Sequence, residues 1–331
     1  MLPRPEPPPE VDRAVIAKLA DAIDAATTAG RRVRFEATAS WYSAPKGSDV
    51  VDRDHPYSTS TELIACWGDE TNLERLVQLS AEGSYAKVFA DGMLYSVSLT
   101  EREGAVVATE LHDMANIGLP LILQIDMPSA LGGAGSMAEI VRTATPLSLV
   151  ADEKRITYRF VPAGAQELID RVSKERGVPS QPAWPYGVTV ELAPTPRITE
   201  LTIEIRMAGI PTPEGGTTER TVVTTWTVDD WQIVDGRMLG RTLRRRSNDP
   251  TSGKEILCVV RVVDAEPIPD DVPAPPIAPD GVRMRDDRRS FRFAIGSRDV
   301  TLEGRALRFA EPLRAHPGPR LEELARTAEV R

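Results

Sequence analysis

Histidine and cysteine are scarce in this chain of 331 residues, with three of the first and two of the second. Two cysteines, Cys66 and Cys258, cannot build a disulfide framework or a cysteine-based zinc site. Each lies in an apolar, strand-like run, which leaves two readings: buried free thiols, or one long-range disulfide in an oxidising compartment. No two histidines stand four residues apart, as a helical zinc motif needs. His112-Asp113 precedes Ser129 and Ser136, but without a G-x-S-x-G elbow a solvated loop histidine is the simpler reading. Gly132-Gly133-Ala134-Gly135 has no following Lys-Ser/Thr to make a phosphate loop. Asp229, Asp230 and Asp235 lack the alternating spacing of a calcium loop and read as turn chemistry. The expectation is no enzyme, no metal and no cofactor.

Positive charge is also short. A formal net charge of −9 lacks the basic footprint that nucleic acid requires, and disfavours anchoring on anionic lipid. The cluster Arg241, Arg244, Arg245, Arg246 is local and reads as a solvated strand edge that discourages edge pairing. No stretch approaches the ~20 apolar residues of a membrane-spanning helix. Met1 is followed by LPRPEPPPE, which has no apolar signal region. The expected location is therefore periplasmic or cell-envelope if a leader was removed, and cytoplasmic otherwise.

What the chain does have is β-alternation. Tyr85, Lys87 and Phe89 alternate with Ala86, Val88 and Ala90, the pattern of a half-buried strand. Asp91-Gly92 supplies a two-residue hairpin turn, and Met93–Leu99 returns. In Arg32–Trp41, residues Val33, Phe35, Ala37, Ala39 and Trp41 share one face. Further strand runs are expected at Ser60–Trp67, Leu73–Ser80, Ala105–Leu111, Pro146–Val150, Arg155–Val161, Val188–Leu192, Ile198–Met207, Thr221–Val228, Met238–Arg245 and Ile256–Val263. All alternate, so none is expected to be buried on both faces. Val11–Thr28 carries one apolar stripe and reads as a helix closed by Gly30; Ser136–Thr145 and Gly164–Arg176 read as shorter helices.

The fold class expected is α+β, mainly β: one large curved antiparallel sheet, an unclosed half-barrel, with helices covering its concave face. Residues 1–10 form a proline-rich arm and 11–264 the half-barrel. Residues 265–280, AEPIPDDVPAPPIAPD, read as an extended linker. Residues 281–331 read as a small extension of short strands with a terminal helix at Arg320–Val330.

Phe35, Trp41, Tyr158, Phe160 and Trp226 occur on alternating strands where they could line one face. The plain alternative is an ordinary core under helices. The functional reading is an apolar concavity too extensive for its few helices to fill, hence a ligand site. Its ligand-binding residues would be Phe35, Trp41, Ile117, Leu121, Tyr158, Phe160, Ile203, Ile205 and Trp226, with 117–123 as a mobile lid or plug.

The first helix, the strand RVRFEATASW and then YAKVFADGMLYSVS resemble the LolA/LolB-like lipoprotein carriers. The match rests on Ala90-Asp91-Gly92-Met93-Leu94-Tyr95 and on the later TTWTVDDWQIVDGRML, with Trp231, Val234, Asp235 and Gly236. This resemblance implies an unclosed barrel with a helical lid that holds acyl chains without enzymatic activity. The implied partners are a lipid or acyl chain, or a lipoprotein, with a protein partner for the tail as a further expectation. The helix at 164–176 and the tail after Asp280 are additions to the family layout.

Overall fold

The computed structural model describes residues 12–27, 31–44, 50–68, 73–90, 93–108, 119–124, 136–167, 170, 185–211, 217–248, 254–278, 281–286, 305–308 and 329–330. Helix α1 (Arg13–Ala26) starts where the Asp12 carboxylate accepts from the Ala14 amide, and its stripe buries Leu19, Ala22, Ile23 and Ala26. Gly30, its expected cap, lies outside the described residues; Thr27 occupies the C-cap.

Strand β1 (Val33–Ser43) is the seam of the molecule. On one side it pairs with β2 (Ser58–Gly68), followed by β3 (Leu73–Ser80), β4 (Tyr85–Ala90), β5 (Met93–Ser98) and β6 (Glu103–Ala108). On the other side it pairs with β13 (Glu255–Pro267). From there the order runs backward through β12 (Arg237–Asn248), β11 (Thr217–Val234), β10 (Arg197–Pro211), β9 (Tyr186–Glu191), β8 (Arg155–Val161) and β7 (Thr145–Ala151). These thirteen strands form one antiparallel sheet that is not closed into a barrel. Register shifts in β1, β10 and β11 mark bulges, which bend and twist a sheet.

Two hairpins were legible. Ala90 pairs with Met93 across the expected β4–β5 turn, although Asp91 and Gly92 themselves lie outside the described residues. Val234 pairs with Arg237 around Asp235-Gly236, both with positive φ (51° and 71°), as a type I′ turn needs.

Several expectations need correction. β4 is buried on both faces at Val88, Phe89 and Ala90, so its alternation did not signal a solvated side. The arginine-rich strand β12 is not an edge: it lies between β11 and β13. Arg244 pairs with Asp229 at 2.7 Å and Arg241 with Asp230 at 3.9 Å, so those aspartates serve a long strand at a bulge and not a turn. The cysteine expectation, by contrast, holds in its first form: both thiols are free and buried. Cys66 is opposite Val33 and Cys258 opposite Trp41, eight residues along β1, or about 27 Å. No disulfide spans that.

The proline-rich segment does not stand off as an extended linker. Residues 265–267 end β13, and Ile268, Ile277 and Ala278 are buried. With Val282, the last two pack on Ala86, Val88, Ala90, Tyr95 and Val97 of β4 and β5. Arg32 donates to the carbonyls of Ile268, Pro269 and Val272, and the buried Arg75 to that of Pro275. The chain then adds β14 (Arg283–Asp286) parallel to β6, with β15 (Arg305–Arg308) and β16 (Glu329–Val330) beyond. Glu329 and Val330, expected in a terminal helix, are in a strand.

Candidate binding face

The sheet register sets several of the predicted side chains in one row across the strands. Trp41 on β1 is opposite Cys258, which is opposite Arg245, which is opposite Trp226. The row continues through Leu201, Val188 and Tyr158 to Leu149. It crosses eight strands, and every member except Arg245 belongs to the main apolar core or packs on it. Two residues along the strands a second row runs Ile256, Ser247, Thr224, Ile203, Tyr186, Phe160. Tyr158 and Phe160 stack at 5.0 Å, and Phe160 and Tyr186 at 6.3 Å.

Trp41, Tyr158, Phe160, Ile203 and Trp226 thus lie on one inner face, spread across the strands from β1 to β8. Phe35 shares that face nearer the start of β1. Ile117 lies outside the described residues, and Ile205 is described only as a backbone position in β10. Phe35, Leu121, Tyr158 and Phe160 are at most 3% exposed, whereas Trp41, Ile203 and Trp226 are half-buried. The set is therefore packed against cover at its deep end and more open toward Trp41 and Trp226.

That cover is helical. In α2 (Leu119–Leu123) the described side chains Leu119, Leu121, Ile122 and Leu123 are all buried, so the segment is a docked plug. Gln124 fixes it: its amide donates to the Ile198 carbonyl at 3.0 Å and accepts from the Ile198 amide at 2.7 Å. Gly240 lets it approach, because a Cβ there would sit 3.2 Å from the Ile122 Cα. α3 (Met137–Thr143) begins at Ser136, whose hydroxyl accepts from the Glu139 amide, so this serine serves a cap. Arg142 of α3 joins Asp21 and Asp24 of α1 at 2.9 Å each.

Sequence reasoning missed Arg245. Its guanidinium lies over both indoles, 5.4 Å from the Trp41 centroid and 5.7 Å from the Trp226 centroid. Burial lowers its pKa, and its Nε is buried with no hydrogen-bond partner. Burial likewise pushes the neighbouring Cys258 thiol up to about 12. The signal was present in Leu243-x-Arg245-x-Ser247, an inward face at period two, but four crowded arginines read as a solvated edge.

Also unforeseen is a cavity of about 400 Å³ at the opposite end, between the start of β1 and the β11–β12 turn. Arg31, Arg32, Arg237, Asp235 and Asp270 line it together with the apolar Val33, Val234, Leu239 and Ile268. Burial lowers the Arg31 pKa to about 10, and Arg31 donates to the Met238 carbonyl at 2.7 Å.

Three solved structures resemble this chain at low identity and low TM-score. The LolA superfamily protein NE2245 from Nitrosomonas europaea is 13% identical, over 80% of this chain and 96% of its own, with a TM-score of 0.39. A putative outer membrane lipoprotein-sorting protein domain from Vibrio parahaemolyticus is 9% identical over 77% and 92%, with a TM-score of 0.41. A DUF1329 family protein from Desulfovibrio piger is 12% identical over 79% and 94%, with a TM-score of 0.35. No family model and no curated protein matches the sequence.

Among the described residues, no group of three or more His, Cys, Asp or Glu side chains could hold a metal. His55 is exposed and joined to Asp52 at 3.1 Å, while His112, Asp113 and Ser129 lie outside the described residues. No described helix is long and apolar enough to cross a membrane.

Proposed function

We propose that this protein binds an amphiphile, an acyl chain or lipid, on the inner face of its open sheet, as a non-enzymatic carrier or sensor of the cell envelope. The observation that carries the reading is the cross-strand row from Trp41 to Leu149, half-buried at both ends and covered by helices α1 and α2 over its middle strands. Apolar burial at ~25 cal/mol per Å² would drive uptake as the chain replaces part of the helical cover. Phe35, Trp41, Leu121, Tyr158, Phe160, Ile203 and Trp226 are the proposed contacts. The envelope role is what the short motifs around Ala90–Tyr95 and Trp231–Gly236 imply by resemblance.

A second reading is favoured by the near-complete burial of Tyr158 and Phe160: a groove filled by its own helices, in an interaction module. One comparison separates the two. Ile203 faces inward, whereas Glu204 faces out and holds Arg159. Ile203→Glu should abolish uptake of a fluorescent fatty acid and Glu204→Lys should not, with both variants folded by circular dichroism. Native mass spectrometry of the protein from cells should carry a co-purifying acyl species. A clean mass, with no uptake by the wild type, would establish the self-filled groove instead.

A further inference from the structure

Arg245 is the one charged member of the row from Trp41 to Leu149. A desolvated cation costs free energy unless an opposite charge compensates it. Among the described residues Arg245 makes no ion pair; its recorded partners are two indole faces. Stacking fixes the plane of the guanidinium, so its donors are held in one orientation instead of being folded away. Beside it, two residues along the same face, the Ser247 and Thr224 hydroxyls hydrogen-bond each other at 2.9 Å. Arg245 is only partly buried. It therefore stands where the row meets solvent.

We infer that Arg245, clamped between Trp41 and Trp226, is the receptor for the anionic headgroup of the bound amphiphile, a carboxylate or phosphate monoester. This rests on the amphiphile reading and adds its polarity. The head sits at Arg245, and the chain runs across β11, β10 and β9 toward Tyr158. That path crosses four strand spacings, about 19 Å, a length suited to one long acyl chain. A planar guanidinium matches either oxyanion through paired donors, and the flanking indoles exclude water from the contact. The Ser247–Thr224 pair can turn a hydroxyl toward a second oxygen of the head.

The test is equilibrium binding to the full chain, followed by tryptophan fluorescence, with probes of one chain length below their micellar concentrations. These are palmitate, palmitoyl lysophosphatidate, neutral monopalmitoylglycerol, and inorganic phosphate alone. The wild type should prefer the two anionic amphiphiles to the glyceride by about tenfold or more, the scale of one charge-assisted hydrogen bond. Arg245→Met should bring that ratio to about one, and Arg245→Lys should keep part of it. Thermal stability should hold or rise in Arg245→Met, because an uncompensated cation is removed. An equal wild-type preference, or a ratio that survives Arg245→Met, overturns the headgroup assignment while the amphiphile reading stands. A fall in melting temperature with an unaltered ratio makes Arg245 a structural stack and also overturns it. Inorganic phosphate binding as tightly as lysophosphatidate would give the site to a free anion. Failure of the wild type to take any amphiphile would remove the underlying function itself.

Discussion

The two arms of the sheet on either side of β1 solve the burial problem differently. In the arm β8–β11 the inner face is apolar and the outer face polar. Thr157 meets Thr189 at 3.2 Å, Thr202 meets Thr225 at 3.3 Å, and Arg159 grips Glu204 with two bonds of 2.8 and 2.6 Å. In the arm β3–β5 both faces carry buried side chains: Leu76 and Phe89 join the inner core, while Val88, Tyr95 and Val97 lie beneath Ile277, Ala278 and Val282. One arm is held by helices from inside, the other also by a strap from outside. A face covered by short helices can be uncovered without unpairing a strand, which suits the first arm to a ligand.

The largest effect expected is in the helix-covered arm. Phe160→Ala should lower stability by about 3–5 kcal/mol, measured by denaturant melts, since Phe160 is buried against two stacked rings. Ile277→Ala should cost about 2–5 kcal/mol if the strap is part of the core. A change within about 0.5 kcal/mol would return residues 265–280 to the status of a linker and dissolve the contrast between the arms. Gly240→Ala should cost about 1–3 kcal/mol, because backbone of α2 and the Val228 side chain both lie 3.2 Å from the new Cβ. Faster amide exchange at 119–124 in that variant would locate the strain at the plug. Arg159→Ala, on the solvated outer face, should cost about 0–1 kcal/mol.

The thiols probe the same contrast by pH. Burial raises both pKa values from 9 to about 12, so folding holds the neutral forms. The stability they contribute is complete below about pH 9, where both states are protonated, and falls as pH rises toward 12 and the unfolded thiols ionise. Alkylation at pH 8 should be negligible in the native protein. Faster labelling of Cys258 than of Cys66 would mark the row as the face that opens, since Cys258 lies in it and Cys66 lies at the other end.

Most of the elements were legible because their signals are local. Period-two alternation in Val33–Trp41 and Ile156–Phe160, the stripe of α1, the cap at Ser136 and the Asp235-Gly236 turn depend on neighbours a few residues away. The same locality explains the errors. Lys87 suggested that β4 has a solvated face, but Phe89 on that face is buried in the main core, and the strap covers the opposite face at Ala86, Val88 and Ala90. Four arginines suggested an edge, but only the order of strands tells an edge from a centre. Prolines in 265–280 suggested a linker, yet carbonyls on an extended segment are good acceptors for Arg32 and Arg75.

By itself, then, the sequence determined a mainly antiparallel, one-sheet protein with an aromatic-bearing inner face, because side-chain alternation is set residue by residue. The tertiary structure alone decided that β1 joins β13, and so which residues lie opposite each other across the seam. Pairing between strands more than two hundred residues apart depends on the simultaneous burial of both partners and on bulges that shift the register. That register sets Arg245 between Trp41 and Trp226, a placement no local pattern encodes.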